Sequence, residues 1–167
     1  MRLEGKVALV TGATYGIGST IVERLAEEGA AVVFTGRSED KGRPLEAKWR
    51  AAGLRVSFSP GNVTDEAAVK AAVELAVATY GTITTVVNNA AATDISRPGG
   101  GDIHIEEITD EDFETVLRVG IFGVLYTSRH AIPHMKANVA GRSSTSPPRR
   151  ACAPSRAAPG IRHQRAP

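Results

Sequence analysis

The chain has 167 residues, 42% of them hydrophobic, with 20 Lys and Arg against 18 Asp and Glu and one Cys. That length suits a single domain able to bury a core, the lone Cys152 excludes an internal disulfide, and no apolar run is long enough to span a bilayer. The formal charge of +2 sums two unlike parts: through Ala137 there are 14 Lys and Arg against 18 acids, whereas residues 138–167 add six Arg and no acid, so the basic balance is no sign of a nucleic-acid-binding fold.

The first residues, MRLEGKVALVTG, run straight into a strand without a cleavable signal pattern. Together with the lone Cys they read as a soluble, cytoplasmic protein. Lys6 to Thr11 is a short apolar run ending in glycine-rich turn residues, as expected of a strand buried on both faces of a parallel sheet. A helix from Ile17 to Glu28 follows, with Ile21, Val22, Leu25 and Ala26 on one face and Gly29 at its end. Ala31 to Thr35 reads as a second strand, Arg43 to Ala52 as a helix stopped by Gly53, and Val56 and Phe58 as a third strand. Asp65 is placed to cap a helix carrying Val69, Val73 and Val77 that ends near Gly81. Thr84 to Asn88 reads as a fourth strand, and Thr109 to Lys136 as one long helix begun by TDED. Strands separated by helices of this length imply right-handed crossovers and an α/β parallel sheet covered on both faces.

Beyond Lys136 the pattern stops. Residues 138–167 hold five Pro and six Arg, with no acid and no aromatic residue. Val139, Cys152 and Ile161 are too few to build a core, and the expectation is a disordered tail. The chain therefore divides into a patterned domain at 1–137 and a tail at 138–167.

Between the first strand and helix lie Thr11, Gly12, Ala13, Thr14, Tyr15, Gly16, Ile17 and Gly18. At such a turn, backbone amides and the positive helix end face an anion, and a Cβ would block the turn or the ligand's approach. A glycine triplet alone is weak evidence, since many turns collect Gly. Its position after a strand and before a helix makes the phosphate-binding reading the stronger one.

TGATYGIG, NNAA at Asn88 to Ala91 and HAIPHMK at the end of the long helix, taken in order, resemble the short-chain dehydrogenase/reductase family over residues 1–137. The resemblance implies a doubly wound, Rossmann-like fold, here cut short after the fourth strand and the long helix. It also implies a dinucleotide cofactor and oxidation or reduction of a small alcohol or carbonyl substrate. In that family Gly12, Thr14, Tyr15, Gly16, Ile17 and Gly18 would hold the pyrophosphate, Asn62 and Val63 the adenine, and Asn89, Ala90 and Ala91 the adenosine and nicotinamide side. Asn62 stands where Asp is commoner, and Ala91 where Gly is usual. An amide at Asn62 can still bond an adenine edge.

Charge bears on which dinucleotide. An NAD site offers a carboxylate to the ribose, whereas a 2′-phosphate is repelled by an acid and attracted by Arg. The second strand ends FTGRS, with Arg37 and no acid before Glu39. That favours NADP over NAD, with Ser38 as a second donor. The plainer alternative is that Arg37 is a solvated surface charge.

For catalysis the resemblance implies a Tyr, a Lys four residues later that draws the phenol from its usual pKa near ~10 toward neutrality, and a Ser thirteen residues before the Tyr. Four residues after Tyr15, Tyr80 and Tyr126 stand Ser19, Thr84 and His130, so none starts that pair. No catalytic residue is assigned. Gly120 replaces the Asn usual in the long helix, at a cost to that helix of about 1 kcal/mol relative to Ala.

The tail suggests a cause. Codons formed from the third base of one residue and the first two bases of the next allow VNISS within Arg142 to Pro148, and YSASKGA or YTASKGA from Gly160 to Pro167. The second Ser then falls across Pro147 and Pro148 and the Tyr across Gly160 and Ile161, thirteen apart. The expectation is a frame change between about Ala137 and Gly141 that replaced the catalytic half. Loss of a fifth strand and of the following helix would leave an unpaired sheet edge, an exposed apolar helix surface and a compromised homo-oligomer interface.

His104, His130, His134 and His163 show no metal-ligand spacing and read as surface or packing residues, so no metal is expected. Glu106 to Glu114 reads as a helix start with acids at its positive end, and Ser96 to His104 as a loop without decisive chemistry. The Arg-rich tail could bind RNA or acidic surfaces nonspecifically; no specific nucleic-acid or membrane partner is expected. Three readings stand: an NADP-dependent oxidoreductase by descent, a catalytically silent fragment that retains dinucleotide binding, and a nucleotide-binding or basic-tailed interaction protein without catalysis.

Overall fold

A computed structural model describes residues 1–92 and 104–143. The tail from residue 144 on, with Cys152 and His163, and most of the Ser96 to His104 loop lie outside the described residues. Four strands form one sheet: β1 (Val7–Thr11), β2 (Ala31–Gly36), β3 (Val56–Pro60) and β4 (Thr85–Val87). All pairings are parallel, and the spatial order is β3-β2-β1-β4. Val7 pairs with Ala31, Val32 with Val56 and Ala8 with Thr85.

The helices are α1 (Gly16–Glu27), α2 (Glu39–Ala51), α3 (Glu66–Tyr80), α4 (Asp110–Leu117) and α5 (Gly123–Ser143). Strand periodicity divides their work. Ala8, Val10, Val32, Phe34, Val56 and Phe58 point to one face, where Val22 and Ala26 of α1 and Trp49 of α2 cover them. Val7, Leu9, Ala31 and Val33 point to the other, against Ala72, Val73 and Ala76 of α3 and Ala131 of α5. The sheet is therefore doubly wound and Rossmann-like.

The first face is aromatic. Phe34 meets Trp49 edge-on with ring centroids 5.2 Å apart and lies 5.1 Å from Phe58. Gly42 lets α2 settle onto that cluster, because a Cβ there would stand 2.3 Å from Phe58 Cζ. The Trp49 indole N–H donates to Glu23 Oε1 on α1 at 3.1 Å, so the ring is buried without stranding its polar atom.

Several boundaries differ from those the sequence suggests. α2 starts at Glu39 instead of Arg43: Ser38 is its N-cap, Glu39 and Asp40 complement the positive end, and Arg43 Nε bonds back to Glu39 at 3.0 Å. Pro44 consequently lies inside the helix. Thr84 lies just ahead of β4 and pins its start: Val7 N–H donates to Thr84 Oγ1 at 3.0 Å, and that hydroxyl lies 2.9 Å from Val7 O. Asp65 caps α3 by accepting from Ala67 N at 2.9 Å, and Gly81 closes that helix by donating to Val77 O at 2.8 Å.

The long helix from Thr109 to Lys136 is not continuous. α4 opens with a reciprocal Thr109–Asp112 capping box, then gives way to a π-helical turn at Arg118–Phe122 before α5. Gly120, a poor helix former, sits within that turn. Immediately after it Gly123 is buried against Val63, where a Cβ would come within 3.1 Å of Val63 Cγ2. α5 then runs through Lys136 and Ala137 to Ser143, so the backbone does not break where the composition does. Among the described residues, no helix is long and apolar enough to cross a membrane.

Candidate functional site

The strand order places β2 and β3 on one side of β1 and β4 on the other, so the connections diverge at the carboxyl ends of β1 and β4. Open α/β sheets bind ligands at such a switch point. There the structure has a cavity of about 720 Å³, within the size range of small-molecule and cofactor pockets.

Each strand end contributes a segment to it. From β1 come Gly12, Thr14, Tyr15, Gly16, Ile17 and Gly18; from β2, Arg37 and Ser38. From β3 come Asn62 and Val63, and from β4, Asn89, Ala90 and Ala91. Every residue the sequence nominates for dinucleotide contact thus lines one cavity, brought there from positions up to 79 apart in sequence, as the Thr11–Ala90 contact measures.

The turn after β1 is held from two sides. Asn89 Nδ2 donates to Thr11 O at 3.1 Å and Gly12 O at 3.0 Å, while the backbone N–H groups of Asn89 and Ala90 donate to Thr11 Oγ1 at 3.1 and 3.2 Å. On the β2 side, Ala13 N donates to Thr35 O at 3.0 Å. This explains the pairing of a Thr-Gly turn with an Asn pair far along the chain: the amide satisfies carbonyls the tight turn leaves without helical or strand partners. Gly12 adopts φ 64° and lies so close to β4 that a Cβ would stand 2.6 Å from Ala90 Cα. Gly16 adopts φ 57°, yet a Cβ there would meet nothing within 4 Å, so the surface it bares is open space at the helix start.

That start is suited to an anion. Tyr15 is the N-cap of α1 without a side-chain capping bond, and no acid lies in the first turn. The early amides of a helix point outward at the positive end of its dipole, which is the arrangement that binds phosphate. The chain's own residues therefore fit a pyrophosphate at this point. Asn62 Oδ1 is engaged by Thr64 N–H at 3.1 Å, which shapes the turn after β3.

One wall of the cavity comes from α4 and the π turn, through Glu111, Asp112, Thr115, Arg118 and Val119. The sequence suggests only a helix start there. Their spacing is that of one helical face, a signal that was present, but which way the face turns depends on packing. Arg118 is paired with Glu114 at 2.8 Å. A second feature not foreseen is Thr127 of α5, fully buried, whose hydroxyl lies 2.6 Å from Asn88 Oδ1 and so fixes the residue next to Asn89.

Of the three tyrosines, Tyr15 alone lines the cavity. The Tyr80 hydroxyl lies 2.9 Å from Ser57 Oγ, and the Tyr126 ring lies 6.0 Å from that of Phe122. His130 faces Glu66 Oε1 at 3.0 Å between α5 and α3, beside Arg129 at 2.8 Å. The Arg129 guanidinium, with a smaller contribution from His130, holds the Glu66 carboxyl below its ordinary value. Among the described residues, no three His, Cys, Asp or Glu converge on a point.

Comparison with known proteins gives a consistent answer. The sequence profile of the family described as short chain dehydrogenase matches residues 6–143. The chain is 37% identical over 142 residues to an NADP-dependent (R)-specific alcohol dehydrogenase of Lentilactobacillus kefiri, a match covering 85% of this chain and 53% of that protein. It is 33% identical over 135 residues to a 3beta-hydroxysteroid dehydrogenase of Mediterraneibacter gnavus, covering 81% and 47%. Among solved structures, a double mutant of a Serratia marcescens short-chain dehydrogenase/reductase superposes with a TM-score of 0.69 at 38% identity, covering 81% of this chain and 53% of that one. The chain thus spans about half the length of the curated relatives it matches.

Proposed function

The chain belongs to the short-chain dehydrogenase family, and from that premise we propose that it binds NADP(H) in the cleft at the strand ends without catalysing hydride transfer. The observation that carries the binding half is the cavity of about 720 Å³ into which the α1 N-terminus opens with no competing acid in its first turn. Gly12 to Gly18 would receive the pyrophosphate, Asn62 and Val63 the adenine, and Asn89 to Ala91 the remainder of the dinucleotide. When bound, the nicotinamide would supply or accept a hydride at an alcohol or carbonyl carbon.

The preference for NADP over NAD rests on Arg37. It follows β2 at the cavity rim beside Ser38, and a guanidinium there rewards a 2′-phosphate with a charge-assisted bond that a ribose hydroxyl cannot match. The similarity to an NADP-dependent relative points the same way. The silence rests on sequence: no Tyr is followed four residues later by Lys. Without that pair the chain lacks the family's means of holding and passing the alcohol proton, and on this reading the cleft binds without turnover. The frame change between about Ala137 and Gly141 accounts for the loss, and the coding DNA decides it: in the shifted frame it must read a Ser and, thirteen codons on, a Tyr with Lys four later.

The binding test is a titration of the full chain with NADPH and NADH, followed by nicotinamide fluorescence or calorimetry. NADPH is expected to saturate with the higher affinity, and Arg37→Ala to weaken NADPH about tenfold or more while sparing NADH, the scale of one charge-assisted contact. Absence of binding to either cofactor sinks the reading. Consumption of NADPH at enzymatic rates with any of a panel of aldehydes and ketones would overturn the silence.

A further inference from the structure

Lys41, in the first turn of α2, is held in an unusual way. Its ammonium nitrogen lies 5.6 Å from the centroid of the Tyr15 ring, and it forms no ion pair with a carboxylate among the described residues. Tyr15 itself lines the cavity beside Arg37 and Ser38 and is 55% exposed. One aromatic ring therefore joins the rim of the cavity to a cation that the sequence does not single out.

The physical consequence concerns charge. A carboxylate partner would cancel most of the field of a lysine, whereas an aromatic face holds an ammonium through its quadrupole and leaves the full positive charge in place. The nearby acids are accounted for: Glu39 and Glu46 are taken by Arg43 at 3.0 and 3.3 Å. Asp40 is adjacent to Lys41 on the helix, and neighbours at i and i+1 point in different directions. Ser38, as N-cap, makes no side-chain capping bond, so its hydroxyl is not committed to the helix. Arg37, Ser38 and Tyr15 thus line the cavity together, and Lys41 stands on the Tyr15 ring.

We infer that Lys41, carried on the Tyr15 ring, is a second specificity-determining cation at this rim, and that the group it selects is a phosphomonoester at the 2′ position of the adenosine ribose. A phosphomonoester carries nearly two negative charges at neutral pH, more than a single guanidinium neutralises. An ammonium with three rotatable donors complements the fixed fork of Arg37. The assignment rests on the dinucleotide reading of the cleft. It divides the glycine turn between two tasks, with Gly16 and Gly18 meeting the pyrophosphate and Tyr15 steering the ribose end.

The experiment compares the full chain with Lys41→Ala, Tyr15→Phe and Tyr15→Ala, titrating each with NADPH, NADH, adenosine 2′,5′-bisphosphate and AMP. Lys41→Ala is expected to weaken the two 2′-phosphorylated ligands about three- to fivefold, as one exposed charge pair would, and to leave NADH and AMP unchanged. The loss shrinks as salt rises. Tyr15→Phe keeps the ring and the preference, and Tyr15→Ala reduces the preference by the same factor as Lys41→Ala, the part due to Arg37 remaining. Lys48→Ala, which removes the same charge further along α2 where Lys48 faces Glu23 at 3.6 Å, leaves the preference intact. Equal weakening of both ligand classes by Lys41→Ala, or none, overturns the assignment while binding by the unsubstituted chain preserves the dinucleotide reading. Failure of the unsubstituted chain to bind any of the four overturns both.

Discussion

Residues 6–92 and residues 104–143 meet water in opposite ways. In the first region β1 and β2 are buried along their whole length, and the largest side chains of the core, Trp49, Phe34 and Leu9, are at most 2% exposed. In the second, Phe113 and Ile121 are each 59% exposed, and Val116, Phe122, Leu125 and Ile132 all exceed 40%. Among the residues there whose burial is described, 104–138, only Ala131, Thr127 and Gly123 are buried. α5 docks on α3 and β4 through this narrow seam of small residues, with Met135 partly buried beside it, leaving Val124, Leu125 and Ile132 outward. Residues 6–92 thus build nearly all of the core, whereas α4 and α5 lean on it, adding Ala131, and contribute one wall of the cleft. Hydrophobic pattern alone marks both regions as folded; accessibility separates a segment that completes a core from one that only rests against it.

The contrast can be broken most directly at Trp49. Trp49→Ala removes the ring that closes the aromatic face, together with its bond to Glu23, and should lower stability by about 3–5 kcal/mol, measured by urea unfolding followed by circular dichroism. Phe113→Ala, an equally apolar deletion on α4, should change it by less than about 0.5 kcal/mol. Similar losses at the two positions would show that α4 has a core of its own. The seam between the regions comes next. Thr127→Val keeps the shape of the side chain but leaves Asn88 Oδ1 without the hydroxyl 2.6 Å away, and should cost about 1–2 kcal/mol. Because Asn88 adjoins Asn89, the same variant should weaken NADPH binding, and a stability loss with unchanged binding would mean that the seam and the cleft are independent.

The smallest effect lies at the rim of that seam, where Arg129 and His130 converge on Glu66. A carboxyl whose folded pKa is depressed stabilises the fold above its unfolded value and loses that contribution as pH falls through the folded value. Wild-type stability should therefore decline as pH drops below the ordinary value of 4.5, more steeply than in Glu66→Gln, with thermal unfolding scans at several pH values as the readout. Parallel curves for the two proteins would remove this pair from the docking of α5. The effect is modest because Glu66 and Arg129 are 40% and 50% exposed and the pair is screened by solvent.

The order of elements was legible in the residues because each strand is a short apolar run stopped by turn chemistry and each helix carries a readable end. Asp65 and Gly81 cap α3 where the sequence places them, and TDED opens α4 through Thr109 and Asp112. The turn TGATYGIG was legible as well, since only glycine tolerates the backbone and close approach found at Gly12. The start of α2 was not, because Glu39 to Gly42 have weak helical pattern and are drawn onto the sheet by Phe58. Nor was the interruption at Arg118–Phe122, since periodicity continues across a single wide turn.

By itself, then, the sequence determined the alternation of strands and helices, the anion-suited turn, Arg37 at the end of β2 and the absence of a Tyr followed four residues on by Lys. These are local facts, fixed by side-chain period, backbone permissiveness and residue identity. Tertiary structure alone decided that Asn89 satisfies the carbonyls of Thr11 and Gly12, that Thr127 steadies Asn88, that α4 walls the cleft and that Lys41 rests on Tyr15. Each of these joins groups separated along the chain, and only the crossing of parallel strands with their helices brings such groups within bonding distance.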